Sequence, residues 1–272
     1  MRSSILWGFA AFLLNFMFFV GYAEEVPTSE GTVKDARKPV LLEDIAAIEA
    51  FINAAEVVVI GFFKDLERPE VSEFRIIVQN IPEVPFAISN SSQVLSHYNV
   101  TRNTISLFRE VDNKRQDVEI EDIKGLDADK LSRFVRANEL RWVTEYNPMT
   151  AVGLFESVVE THLLLLTNKS SPMHTERMNK YREAAKLFQG KLLFILVDIL
   201  AKGNDRVMSY FHLKKSQLPA LAAYHTPDEE QEVLSLDDIS VEIIKEFCDG
   251  FLQKLQAKEK LKTEDNVLKE EL

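Results

Sequence analysis

The sequence predicts an α/β protein made of two tandem halves, each a sheet covered by helices, and three observations support this. Short runs of β-branched and aromatic residues alternate with stretches of helical period, the pattern of α/β units whose sheets are covered on both faces. The pattern occurs twice. Val57 to Phe86 spans 29 positions and Leu163 to Leu193 spans 30, an offset of about a hundred residues that points to a duplicated domain rather than a short-repeat solenoid. The chain of 272 residues is 46% hydrophobic and 28% charged, a composition that buries a sizeable core; its length suits two domains of ~100–200 residues.

Residues 1–23 carry one early positive charge, Arg2, and an apolar run from Ile5 to Val20. Gly21 and Ala23 stand at the −3 and −1 positions of a cleavage site, so the segment is expected to be a secretory signal peptide. The run is short for a membrane span of ~20 residues and has no basic stop-transfer flank. Residues 24–38, "EEVPTSEGTVKDARK", are polar and unpatterned and read as a flexible leader. The first domain, 39–140, contains three strand-like runs, "AEVVVIGFF" from Ala55, "VPFAIS" from Val84 and "TISLFREVD" from Thr104, followed by the helix "DADKLSRFVRANEL". "RWVTEYNPMT", with Pro148, marks the passage between halves, and the boundary is placed near residue 140.

The second domain, 141–256, repeats the order. "HLLLLTN" begins at His162, the helical "MNKYREAAKLFQG" ends at a glycine stop, Gly190, and "KLLFILVD" and "PALAAYH" begin at Lys191 and Pro219. "SVEIIKEFCDGFLQKL" closes it. Residues 257–272 are charged and expected to form a flexible tail. That tail ends in Lys269, Glu270, Glu271 and Leu272, which resemble the KDEL-type retrieval signal of the endoplasmic reticulum lumen. Three sequons, at Asn90, Asn99 and Asn168, are candidate N-glycosylation sites.

Charge and cysteine content exclude several functions. The net charge is −11, and −12 once Arg2 leaves with the signal segment; a chain so acidic is repelled by nucleic-acid phosphates and anionic membranes and suits basic partners. Cys248 is the only cysteine, so dithiol–disulfide cycling within the chain is excluded. It shares a helical stripe with Ile244, Phe247, Phe251 and Leu255, where a buried thiol acts as a small hydrophobe. The five histidines show no metal-ligand spacing, and no P-loop, GxGxxG or GxSxG is present. No cofactor, metal or catalytic residue is expected.

The loop after "VVVIGFF" reads Lys64, Asp65, Leu66, Glu67, where a thioredoxin-type oxidoreductase carries CxxC. That loop, the stretch "AAKLFQGKLLFILVD", then "SQLPAL" and "EFCDGFL", resemble the non-catalytic thioredoxin-like domains of the protein disulfide isomerase family. The resemblance runs from Leu41 to Gln256 and matches the halves to the b and b′ domains in that order. It implies two tandem thioredoxin-like domains, each a central mixed sheet covered by helices, and a cis peptide before Pro219, where the first half has Asn103-Thr104. It also implies a pocket for unfolded or non-native polypeptide at Tyr181, Ile195, Leu163 and Leu165. The spacing of two puts Leu163 and Leu165 on one face of a strand; without the resemblance all four residues read as core. It further implies that the acidic segment Asp228, Glu229, Glu230, Gln231 and Glu232 docks a catalytic disulfide isomerase of the lumen, which would supply thiols in trans. A retrieval receptor would be a further partner. The family motif has a tryptophan at Gln231, an anchor this sequence lacks. Read alone, the carboxylates are a solvated loop. Two alternatives stay open: an acidic lumenal calcium buffer, although no EF-hand loop is present, and a scaffold that binds the isomerase without clients.

Overall fold

A computed structural model of the chain describes residues 37–120 and 128–270; the signal segment, most of the leader, and Glu271 and Leu272 of the retrieval signal lie outside the described residues. The first half runs β1 (Val40–Leu41), α1 (Ile45–Ile52), β2 (Val57–Phe62), α2 (Pro69–Asn80), β3 (Phe86–Ser89), α3 (Ser92–His97), β4 (Thr104–Arg109), β5 (Lys114–Glu119) and α4 (Ala128–Asn138). Its sheet has the order β1-β3-β2-β4-β5. The first three strands are parallel, and β4 and β5 are antiparallel to their neighbours. Strand β2 is apolar throughout because both its faces are covered. Val57 and Val59 pack with Val71, Phe74, Ile77 and Val135, while Val58, Ile60 and Phe62 pack with Ile48, Val94 and Leu95. Each such large side chain contributes about 1.5–3 kcal/mol by leaving water.

Local signals set the helix ends. The Asp44 carboxylate accepts the Ala47 N–H at 2.8 Å and caps α1, and Pro69 opens α2 at a position where no donor is needed. Between β4 and α4 the Arg109 guanidinium grips Asp112 through two nitrogens, at 2.7 and 3.1 Å, and donates to the Asn138 carbonyl at 3.2 Å. Both side chains of that pair are essentially inaccessible, so their bidentate geometry offsets part of the cost of burying charge.

The second half runs β6 (Thr144–Glu145), α5 (Pro148–Phe155), β7 (Thr161–Thr167), α6 (His174–Leu187), β8 (Leu193–Asp198), α7 (Asp205–Tyr210), a 3₁₀ turn (Lys215–Gln217), β9 (Ala220–His225), β10 (Glu230–Ser235) and α8 (Val241–Glu270). The sheet order β6-β8-β7-β9-β10 repeats that of the first half, with the same parallel and antiparallel pairings. The strand pattern alone therefore carries the signature of duplication.

By contacts among the described residues, 37–142 and Asn147–Val158 form one compact unit, and Val143–Tyr146 with 159–270 form the other. Helix α5 thus belongs with the first unit. It starts with a capping box in which the Asn147 side chain accepts the Met149 and Thr150 N–H groups and the Thr150 hydroxyl accepts the Asn147 N–H. It packs on α4 through Gly153, where an added Cβ would lie 2.0 Å from the Ala137 carbonyl oxygen. At the other end of the chain α8 continues to Glu270, over the charged stretch from Ala257 expected to be a flexible tail. That stretch is rich in Lys, Glu and Leu and has neither glycine nor proline, so helix propensity outweighs its polarity.

Candidate functional site

The second sheet brings the four residues assigned to a polypeptide pocket close together in the fold but divides them between two faces. Side chains of registered neighbours share a face, and the register pairs Leu163 with Phe194, Leu165 with Leu196, and Leu164 with Ile195. Leu163 and Leu165 therefore stand with Phe194, Leu221 and Ala223, whereas Ile195 stands with Leu164, Ala222 and Tyr224 on the reverse side. All four are buried, Ile195 to 4% exposure and the others to 0%.

Helix α6 lies against the Leu163 face. The Tyr181 ring meets Phe194 at 4.9 Å, and its hydroxyl donates to the Leu163 carbonyl oxygen at 2.6 Å and lies 3.2 Å from that of Ile195. A phenol inside the core needs such acceptors, and burial pushes its pKa well up. Tyr181 thus ties α6 to β7 and β8. Helix α8 contributes Ile244, Cys248, Phe251 and Leu255, all buried. Burial also pushes the Cys248 thiol up to about 12, so it is protonated and inert at neutral pH. On the Ile195 face the rings of α7 and its C-terminal neighbour meet Tyr224, Tyr210 at 6.0 Å and Phe211 at 6.3 Å. The Leu218–Pro219 peptide leading into β9 is cis.

The acidic segment forms the β9–β10 turn and the start of β10. Asp228 and Glu229 are exposed at the turn, where Glu229 has φ 56°. Registration with β9 then alternates the rest: Glu230 and Glu232 oppose His225 and Ala223, while Gln231 opposes Tyr224. Lys258 and Lys254 of α8 pair with Glu230 and Glu232. Gln231 is exposed on the Tyr224 side, next to the half-open Val233.

In the first unit the loop that replaces CxxC borders a cavity of about 200 Å³ lined by Lys64, Asp65, Arg68, Arg102 and Asn103. Sequence reasoning missed it, although the exchange of proline for Asn103 was visible. Of the sequon asparagines, Asn90 and Asn99 are exposed and Asn168 is half-buried, its side chain accepting the Ser170 N–H at 2.7 Å. Among the described residues no group of three or more His, Cys, Asp or Glu is placed to hold a metal ion, and no helix is long and apolar enough to cross a membrane.

Comparison with known proteins agrees with this architecture. A thioredoxin-like domain family matches residues 63–250. Human endoplasmic reticulum resident protein 27 is 51% identical over 97% of this chain and 97% of its own length. The mouse protein of that name is 50% identical over 89% of this chain and 91% of its own. Chicken protein disulfide-isomerase is 35% identical over 78% of this chain but only 41% of its own length. A crystal structure of the bb fragment of ERp72 aligns with 79% of this chain and 97% of its own, at a TM-score of 0.40 and 14% identity. The full-length relatives place the protein in the endoplasmic reticulum lumen. With two thioredoxin-like sheets, one cysteine and near-complete coverage of those relatives, the chain belongs to the thioredoxin-like domain family and, within it, to the endoplasmic reticulum resident protein 27 group of the protein disulfide isomerase family.

Proposed function

We propose that the chain is a non-catalytic, chaperone-like binding protein that holds unfolded or non-native polypeptides on the Ile195 face of its second unit. Through the β9–β10 turn it recruits a catalytic disulfide isomerase, which supplies the thiols this chain lacks. The carrying observation is the unequal helix cover of the second sheet. Its Leu163 face is backed by the 14-residue α6 and the 30-residue α8, whereas the rings meeting Tyr224 on the other face come from the six-residue α7 and the residue after it. A face whose ring contacts come from a short helix opens at lower cost than one backed by two long helices, and non-native chains offer the apolar groups to fill it. The Ile195 face is therefore the client site in this reading, and Tyr181, Leu163 and Leu165 support it from behind.

The test is fluorescence anisotropy of a labelled, unfolded, cysteine-free polypeptide titrated with residues 24–272. Ile195→Ala and Leu196→Ala each remove buried methyl groups from β8, at a similar cost of about 2–5 kcal/mol, but on opposite faces. Weaker binding by Ile195→Ala alone, with both variants folded by circular dichroism, supports the assignment. Equal loss in both, or no saturable binding by the parent chain, overturns it.

A further inference from the structure

We infer that the cavity beside the loop Lys64–Arg68 is an oxyanion site, taking a carboxylate or a phosphate group. Three of its five lining residues are cations, Lys64, Arg68 and Arg102, and the one acid among them is Asp65. This clustering runs against a chain whose net charge is −11. The Asp65 carboxylate is turned to its own loop, where Oδ1 accepts the Glu67 N–H at 3.0 Å.

The hollow is held in shape by backbone. The Asn103 side chain accepts the Lys64 N–H at 3.0 Å, binding the loop to the start of β4, and the Asn103 carbonyl accepts the Ile120 N–H at 2.8 Å from the end of β5. Arg68 directly precedes the 12-residue α2, whose N-terminal partial charge adds to the same field. Arg68 pairs with Glu70 and Arg102 with Glu119, each at 3.3 Å. The Arg102 guanidinium carries five N–H donors, more than its pair with Glu119 consumes, and its planar fork fits an oxyanion. Among the described residues the Lys64 ammonium makes no ion pair. A lysine beside two arginine forks recognises charge and geometry rather than a long sequence, and about 200 Å³ admits one such group with a few attached atoms.

The decisive experiment follows amide resonances of Lys64, Arg102 and Asn103 in ¹⁵N-labelled residues 24–272 during two titrations, one with an N-acetylated tetraglutamate amide and one with inorganic phosphate. Saturable shifts confined to this loop pair, weakened about tenfold by Lys64→Glu or Arg102→Glu, support the site. The charge-matched Arg75→Glu on exposed α2 surface should leave them unchanged. The peptide arm alone responding assigns the site to polypeptide carboxylates, and the phosphate arm alone to free oxyanions. No saturable shift in either arm, or equal weakening by Arg75→Glu, overturns the proposal.

Discussion

The two units share a strand order and differ at one corner. In the first, Asn103 stands where the second has cis-linked Pro219, and its side chain ties the loop after β2 to β4. In the second, the corresponding strand end is buried proline, and polar character moves to the β9–β10 turn. The sheets have kept their cores because the residues of the central strands β2 and β7 are constrained by two covered faces, whereas loops at the strand ends answer only to local hydrogen bonding. Duplication preserved the packing and freed the corners.

Three substitutions test whether the two units unfold separately. The largest effect belongs to Gly153→Val. Its Cβ would lie 2.0 Å from the Ala137 carbonyl, so α4 and α5 must separate, at a cost of about 3 kcal/mol or more. In residues 24–272 Trp142 is the only tryptophan and lies in the first unit. Its fluorescence transition should shift to lower temperature, while amide exchange in β7 stays slow.

Tyr181→Phe is the converse. It leaves the Leu163 and Ile195 carbonyls without the phenol they share and should destabilise the second unit by about 1–3 kcal/mol. Amide exchange in β7 and β8 should accelerate while the Trp142 transition holds. A shift in that transition would show that the units unfold together.

The smallest effect, between pH 8 and pH 10, is a pH dependence. The Cys248 thiol is raised by burial from 9.0 to about 12, so its contribution is complete below pH 9 and is lost as pH rises toward 12. Across that window it subtracts up to about 1.4 kcal/mol per pH unit from the second unit. Urea midpoints at pH 8 and pH 10 should diverge more for the parent chain than for Cys248→Ala. In the native chain at pH 8 an aromatic disulfide reagent should leave this thiol unmodified, and in guanidinium it should titrate one thiol.

Much of this fold was legible in the residues. The unbroken apolar runs of β2 and β7 announce strands covered twice, and the repeated spacing announces the duplication. Leu163 and Leu165 could be put on one face from their spacing alone. Ile195 could not be related to them, because that depends on β8 aligning Ile195 with Leu164, and register between separate strands follows from packing, not local pattern. Helix α5 escaped for a related reason. Pro148 marks its start, but a glycine at 153 does not disclose that its missing side chain makes room for Ala137. Cys248 was legible in full, since helical spacing with Ile244, Phe251 and Leu255 suffices to bury it.

The alternation along β10 changes how much acidity the β9–β10 turn presents. Of its four carboxylates, Glu230 and Glu232 face α8, where two lysines already share their charge. A basic surface arriving from the Tyr224 side meets Asp228 and Glu229 at the tip, then the neutral Gln231 and Val233. Viewed from that side the turn is an acidic tip on an uncharged ledge. In the proposed docking that attraction reaches about one Debye length, and close contact with the ledge decides which partners stay.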